Sequence, residues 1–168
     1  SRSSQTSVTR RGSKKRLRQD ERFTITEIAH DGQPIEPRRT KDAFVAQCRA
    51  IVRHGISINI QKWNKPKDDP EVSYVTDGQK DDLWTSLKAN FTLLPEEDPN
   101  KPVIEPLVKA CALKKMADLF RRWKNELKST FVDKGKTPEF TGRFEKIRDH
   151  WPAFVAYKTS EKGKKMSE

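Results

Sequence analysis

The stretch Ala112–Phe131, ALKKMADLFRRWKNELKSTF, is long and regular enough to dictate its own local structure. Leu113, Met116, Phe120, Trp123, Leu127 and Phe131 recur at steps of three and four, the spacing that gathers side chains on one face of an α-helix. Lys114, Lys115, Arg121, Arg122 and Lys128 project from roughly the opposite side, interrupted by Asp118 and Asn125. Such a helix packs by one face and offers a cationic ridge with the other. A charged face is also the default on any solvated helix, so the ridge takes its meaning from the rest of the chain.

The chain has 168 residues, which suits one modest domain with tails. Apolar residues make up only 33%, a low share for a compact domain, so part of the chain is expected not to fold. Charged residues reach 35% with a formal net charge of +11, a balance that favours an anionic partner such as nucleic acid over a neutral small-molecule substrate. No apolar run approaches the roughly 20 residues that cross a bilayer. The opening SRSSQTSVTRRGSKKRLR also lacks the apolar segment of a secretory signal, so an intracellular protein without a membrane partner is expected. Cys48 and Cys111 each lie in an apolar helical pattern with no second Cys or His at metal-ligand spacing, which predicts buried thiols rather than a disulfide or zinc site.

Residues 1–22 contain almost nothing apolar and are expected to form a disordered basic tail. Eight cations against two carboxylates place more than half of the net charge there. The run RRGSKKRLR fits a nuclear-import signal or a phosphate-contacting arm, with Arg10, Arg11, Lys14, Lys15, Arg16 and Arg18 as its cations.

A helical domain is expected over 23–160, with one core. FTITEI (Phe23–Ile28) alternates and then meets the turn signature DGQP, which predicts a short strand. The segment Thr40–Arg53 carries Phe44, Val45, Cys48, Ile51 and Val52 at helical spacing, with Thr40 as its cap and Gly55 as its stop. ISINI (Ile56–Ile60) alternates like a second strand. A second helix is expected after a capping Asp77, running to Phe91 with Trp84, Leu87 and Phe91 on one face. LPEEDPNKP then reads as a linker or ordered loop, because its prolines exclude helix. The long helix follows, from around Val103 or Pro106 to about Val132. Arg143–His150 and Ala153–Ser160 predict a fourth and a fifth short helix. The ending EKGKKMSE carries no stop signal and reads as a truncated basic extension over 161–168, so the chain is expected to be a piece of a longer protein.

Catalytic chemistry has few candidates. His30, His54 and His150 show no HxxxH, HExxH or CxxC companions, and no GxGxxG or GxxxxGK[ST] loop is present to hold a nucleotide. Asp68, Asp69, Asp81, Asp82, Glu96, Glu97 and Asp98 sit in polar loops or a first helical turn, where solvent or the helix dipole accounts for them. No enzyme and no cofactor is expected. Trp84, Trp123 and Trp151 read as core pegs, whereas Trp63, in IQKWNKPK, has the basic surroundings a base-stacking ring would need.

The ordered series HGISINIQKW (54–63), DGQKDDLWTSLKANFTL (77–93), MADLFRRWKNELKSTFV (116–132) and WPAFVAYKTSEKGKKMSE (151–168) resembles the plant transposase family Ptta/En/Spm of the CACTA element class. The resemblance runs from about residue 40 to the end. It implies a helical, non-catalytic, DNA-associated region in the nucleus, encoded by a transposon or by a host gene derived from one. A looser analogy links Trp84 and Trp123 to the core tryptophans of Myb/trihelix modules, whose last helix enters the major groove.

The sequence therefore predicts a mainly α fold of about four to five helices with a minor pair of short strands. Its expected activity is binding of double-stranded DNA through Lys114, Lys115, Arg121, Arg122, Lys124 and Lys128, with the tail as a non-specific arm. The alternative is a helical interaction module that self-associates or joins other transposition proteins, for which an exposed Leu119 would be the first sign.

Overall fold

The computed structural model describes residues 23–93, 98–99 and 101–160. The expected tail with its six arm cations, half of the 95–102 linker and the extension over 161–168 lie outside the described residues. Within them the fold is mainly helical. Its helices are α1 (Arg38–Gly55), α2 (Asp77–Lys88), α3 (Lys101–Thr130) and α4 (Trp151–Thr159). Four short strands accompany them: β1 (Phe23–Ile25), β2 (Glu27–Ile28), β3 (Pro34–Glu36) and β4 (Phe91–Leu93).

The strands form two small sheets. β1 and β4 pair in parallel, Phe23 opposite Phe91 and Ile25 opposite Leu93, and β2 pairs antiparallel with β3 across the expected turn. The second helix thus ends at Lys88, short of the expected Phe91, because FTL leaves the helix to pair with the start of the domain. ISINI forms no strand. Ile56 and Ile58 are buried in different places, Ser57 Oγ lies 3.3 Å from His150 Nδ1, and Asn59 Nδ2 donates to the His150 carbonyl at 3.3 Å. Tertiary partners thus use both faces of that segment, and among the described residues no strand pairs with it.

Helix ends differ from expectation for local reasons. Thr40 is buried inside α1, which begins after Pro37. At α2 the cap is Thr76 rather than Asp77: its Oγ1 accepts from Gln79 N at 3.1 Å while its own N–H donates to Gln79 Oε1 at 2.9 Å. This reciprocal pair satisfies two of the orphan donors of the first turn. α3 starts at Lys101, so Pro106 lies inside it. It interrupts only the front of the helix, where the cost of a missing N–H is confined. The 143–150 segment coils more tightly than expected, as a 3₁₀ turn over Gly142–His150 that leads directly into α4.

Two hydrophobic clusters replace the single expected core, and α3 serves both. Val108, Ala112, Met116 and Phe120 belong to the first, with Phe44, Cys48 and Val52 of α1, Leu83, Trp84 and Leu87 of α2, and the β1 and β4 residues Ile25, Phe91 and Leu93. Trp123 and Leu127 belong to the second, with Ile58, Ile147, Trp151 and Phe154. The hairpin turn of β2 and β3 is seated against the front of α3. Gly32 has φ +92°, and a Cβ there would lie 2.2 Å from the Leu107 carbonyl oxygen, so only glycine allows this approach.

Candidate nucleic-acid interface

The outward stripe of α3 follows from its heptad steps. Leu107, Lys114, Arg121 and Lys128 lie seven apart and share one side, with Val103 before them and Asp118 and Asn125 between them on the same side. This stripe changes character along its length. At the front it is apolar, with Val103 68% and Leu107 40% exposed. From Lys114 onward it is cationic. Lys114, Arg121 and Arg122 are exposed, and Lys115 and Lys128 are half-buried.

One carboxylate organises the middle of the ridge. Asp118 accepts from Arg121 Nη2 at 2.9 Å and from Arg122 Nε at 3.0 Å, so two guanidiniums share a single negative charge. Lys128 Nζ reaches Asp133 at 3.1 Å, and Lys109 pairs with Asp81 at 2.9 Å. Exposed pairs of this kind contribute about 0–1 kcal/mol each, so an incoming phosphate can replace the carboxylate at small cost. Between Lys109 and Lys128 there are seven cations and two carboxylates.

Lys124 does not belong to this ridge, a correction to the sequence reading. It is only 8% exposed, and its Nζ donates to the carbonyls of Ile60 at 2.9 Å and Gln61 at 3.1 Å. The ammonium also lies 4.2 Å from the centre of the Phe120 ring. Burial, then the nearby charges of Lys158, Lys62 and Arg121, pull its pKa down to about 7. The spacing contained the clue: Lys124 follows the core residue Phe120 by four and precedes Leu127 by three, which places it at the edge of the apolar face.

Around Lys124 the fold collects residues the sequence reading did not join. Lys62, from the segment after α1, and Lys158 and Tyr157, from α4, line a cavity of about 60 Å³ together with Lys124. Burial and the charges of Lys128 and Lys62 lower the pKa of Lys158 as well. No local signal links Lys62 to Lys158. Trp63 is half-buried, its ring centre 6.2 Å from that of Phe120 and 5.5 Å from Lys80 Nζ.

The remaining candidates are placed as follows. Trp84, Trp123 and Trp151 are buried, and Arg53 stacks its guanidinium 4.3 Å over the Trp123 ring. Leu119 is half-buried against the first cluster rather than exposed. Cys48 is buried, which pushes its thiol up to about 12, whereas Cys111 is half-buried with its Sγ 3.5 Å from Gln33 Oε1. His30 and His54 are exposed. Among the described residues no group of three His, Cys, Asp or Glu side chains is arranged to hold a metal, and no helix is long and apolar enough to cross a membrane. No family model, curated protein or solved structure matches the chain.

Proposed function

We propose that this chain is a non-catalytic, nuclear DNA-binding region, akin to the plant Ptta/En/Spm transposases, that contacts duplex DNA through the outward face of α3. The observation that carries this reading is the stripe of Lys114, Lys115, Arg121, Arg122 and Lys128 on a helix whose other face is locked into two hydrophobic clusters. A ridge held in this way loses little backbone entropy on binding. From Lys114 to Lys128 it runs about 21 Å, more than the ~12 Å width of a B-DNA major groove, so cations near its two ends meet opposite groove walls. Arg121 and Arg122 have the planar fork that suits guanine edges, while the lysines act as phosphate contacts. Arg10, Arg11, Lys14, Lys15, Arg16 and Arg18 supply a non-specific arm in this scheme.

Titration of a fluorescent duplex at several salt concentrations tests the proposal. The logarithm of the affinity should fall against log salt with a slope of about −0.9 per neutralised phosphate. Arg121→Glu/Arg122→Glu should cost at least about tenfold in affinity, since single base or phosphate contacts are worth about 1–3 kcal/mol. Unchanged affinity in that variant would remove α3 as the DNA-facing element.

A protein-interaction reading is favoured by one observation, the exposure of Val103 and Leu107 at the apolar front of the same stripe. A dimer that resists salt, dissociates in Val103→Ser/Leu107→Ser and has no affinity for DNA would decide for it.

A further inference from the structure

The cavity between the Ile58–Lys62 segment, α3 and α4 gathers more positive charge than its neighbours among the described residues balance. Lys124, almost fully buried, lies at its floor, the exposed Lys62 and half-buried Lys158 at its rim. Among the described residues none of these three ammoniums makes an ion pair. Arg121 and Lys128 add positive field from α3, Arg121 sharing Asp118 with Arg122 and Lys128 paired with Asp133. Asp69 acts electrostatically on Tyr157 at the α4 side. An ammonium has three donors, and Lys124 spends two on the carbonyls of Ile60 and Gln61. Gln61, also in the lining, has a buried side-chain oxygen with no partner among the described residues. With the amide turned, the same position holds an N–H donor.

The volume of about 60 Å³ has room for several water molecules or for one compact tetrahedral oxyanion. Waters satisfy donors but leave the charge uncompensated. We propose that this cavity binds a phosphate-type oxyanion, held by Lys62 and Lys158 at the rim and by the third N–H of Lys124 from below. The ligand is either a phosphodiester of a nucleic-acid backbone or a separate small phosphate. The cavity lies beside the α3 ridge, and its chemistry holds whether or not the ridge meets DNA. The lowered pKa values of Lys124 and Lys158 fit such a site, since an anion restores the charged form of both.

The full chain titrated calorimetrically with inorganic phosphate, at ionic strength held constant with chloride, tests this. One saturable site is expected, with the Lys124 Nζ titration, followed by NMR, moving upward from about 7. Lys158→Met should weaken phosphate at least about tenfold, the worth of one charge-assisted hydrogen bond. Lys62→Met is the second variant, its side chain being exposed and dispensable to packing, and Lys41→Met, exposed on α1 and outside the cavity lining, should leave phosphate affinity unchanged. Phosphate that binds no better than chloride, or equally well in both methionine variants, overturns the proposal. Competition separates the two sources: displacement of phosphate by a short duplex assigns the cavity to a backbone phosphodiester, and simultaneous binding assigns it to a small phosphate. A chain that binds phosphate but no duplex would sink the DNA reading and leave this site standing.

Discussion

The first hydrophobic cluster draws on elements spread from Ile25 to Phe120, whereas the second takes everything but Ile58 from the stretch between Trp123 and Phe154. The first must close long loops before it gains any burial. β1 meets β4 across more than sixty residues, and α1 meets α3 across a similar span. The second assembles by folding the chain back once behind α3, and its contents are aromatic: Trp123 stacks on Phe144 at 5.8 Å, and Phe131 meets Phe144 edge-on at 5.5 Å. The division of labour follows from this. The first cluster holds the fold in register, and the second, with its flanking cations, shapes the surfaces proposed for ligands.

Truncating one large side chain on each side tests that division. Phe44→Ala and Trp123→Ala should each cost about 3–5 kcal/mol in urea unfolding. Hydrogen exchange should separate them: Trp123→Ala should unprotect 143–159 while α1 amides keep their protection, and Phe44→Ala should unprotect the whole domain. Equal loss everywhere in both variants would mean a single cooperative core.

Buried charge distinguishes the regions further. The Lys124 pKa is depressed in the fold to about 7 from the ordinary 10.5, so above pH 7 the unfolded chain binds more protons and stability rises with pH. Lys158 acts in the same direction. In the first cluster Cys48 is raised from 9.0 to about 12, so above pH 9 the unfolded chain loses its proton first and stability falls. Urea unfolding should therefore show a gain of about 2 kcal/mol from pH 7 to 9, a plateau up to the ordinary lysine value of 10.5 where the two contributions cancel, and a decline beyond it. Lys124→Met should flatten the rise and leave the decline; a rise that persists would place its origin elsewhere.

Much of this architecture could be read from the chain, and the omissions share a cause. The stripe from Leu113 through Met116, Phe120, Trp123 and Leu127 to Phe131 announces α3 because its period repeats over about five turns, more signal than any single residue carries. Phe91–Leu93 and ISINI misled because their fate depends on partners remote in sequence, which alternation alone does not reveal. Charge alone points Lys124 outward, whereas its spacing to Phe120 turns it inward. Lys62 and Lys158, 96 positions apart, meet only after α4 has folded back.

A smaller effect is expected on the exposed ridge. Asp118→Asn removes two surface ion pairs and should cost under about 1 kcal/mol in stability. The same change leaves Arg121 and Arg122 uncompensated, so duplex affinity should rise. A fall would mean that Asp118 orders the guanidiniums more than it competes with the ligand.

The length of α3 has a geometrical consequence. Thirty residues at about 1.5 Å each make a rod of about 45 Å, with exposed Val103 and Leu107 near one end and the cations from Lys114 to Lys128 along the rest of the same line. Anything seated on the apolar end is held at a set distance and bearing from whatever the cations grip. The helix is then a ruler, and shortening or lengthening it by a single residue would swing one end about 100° around the axis relative to the other.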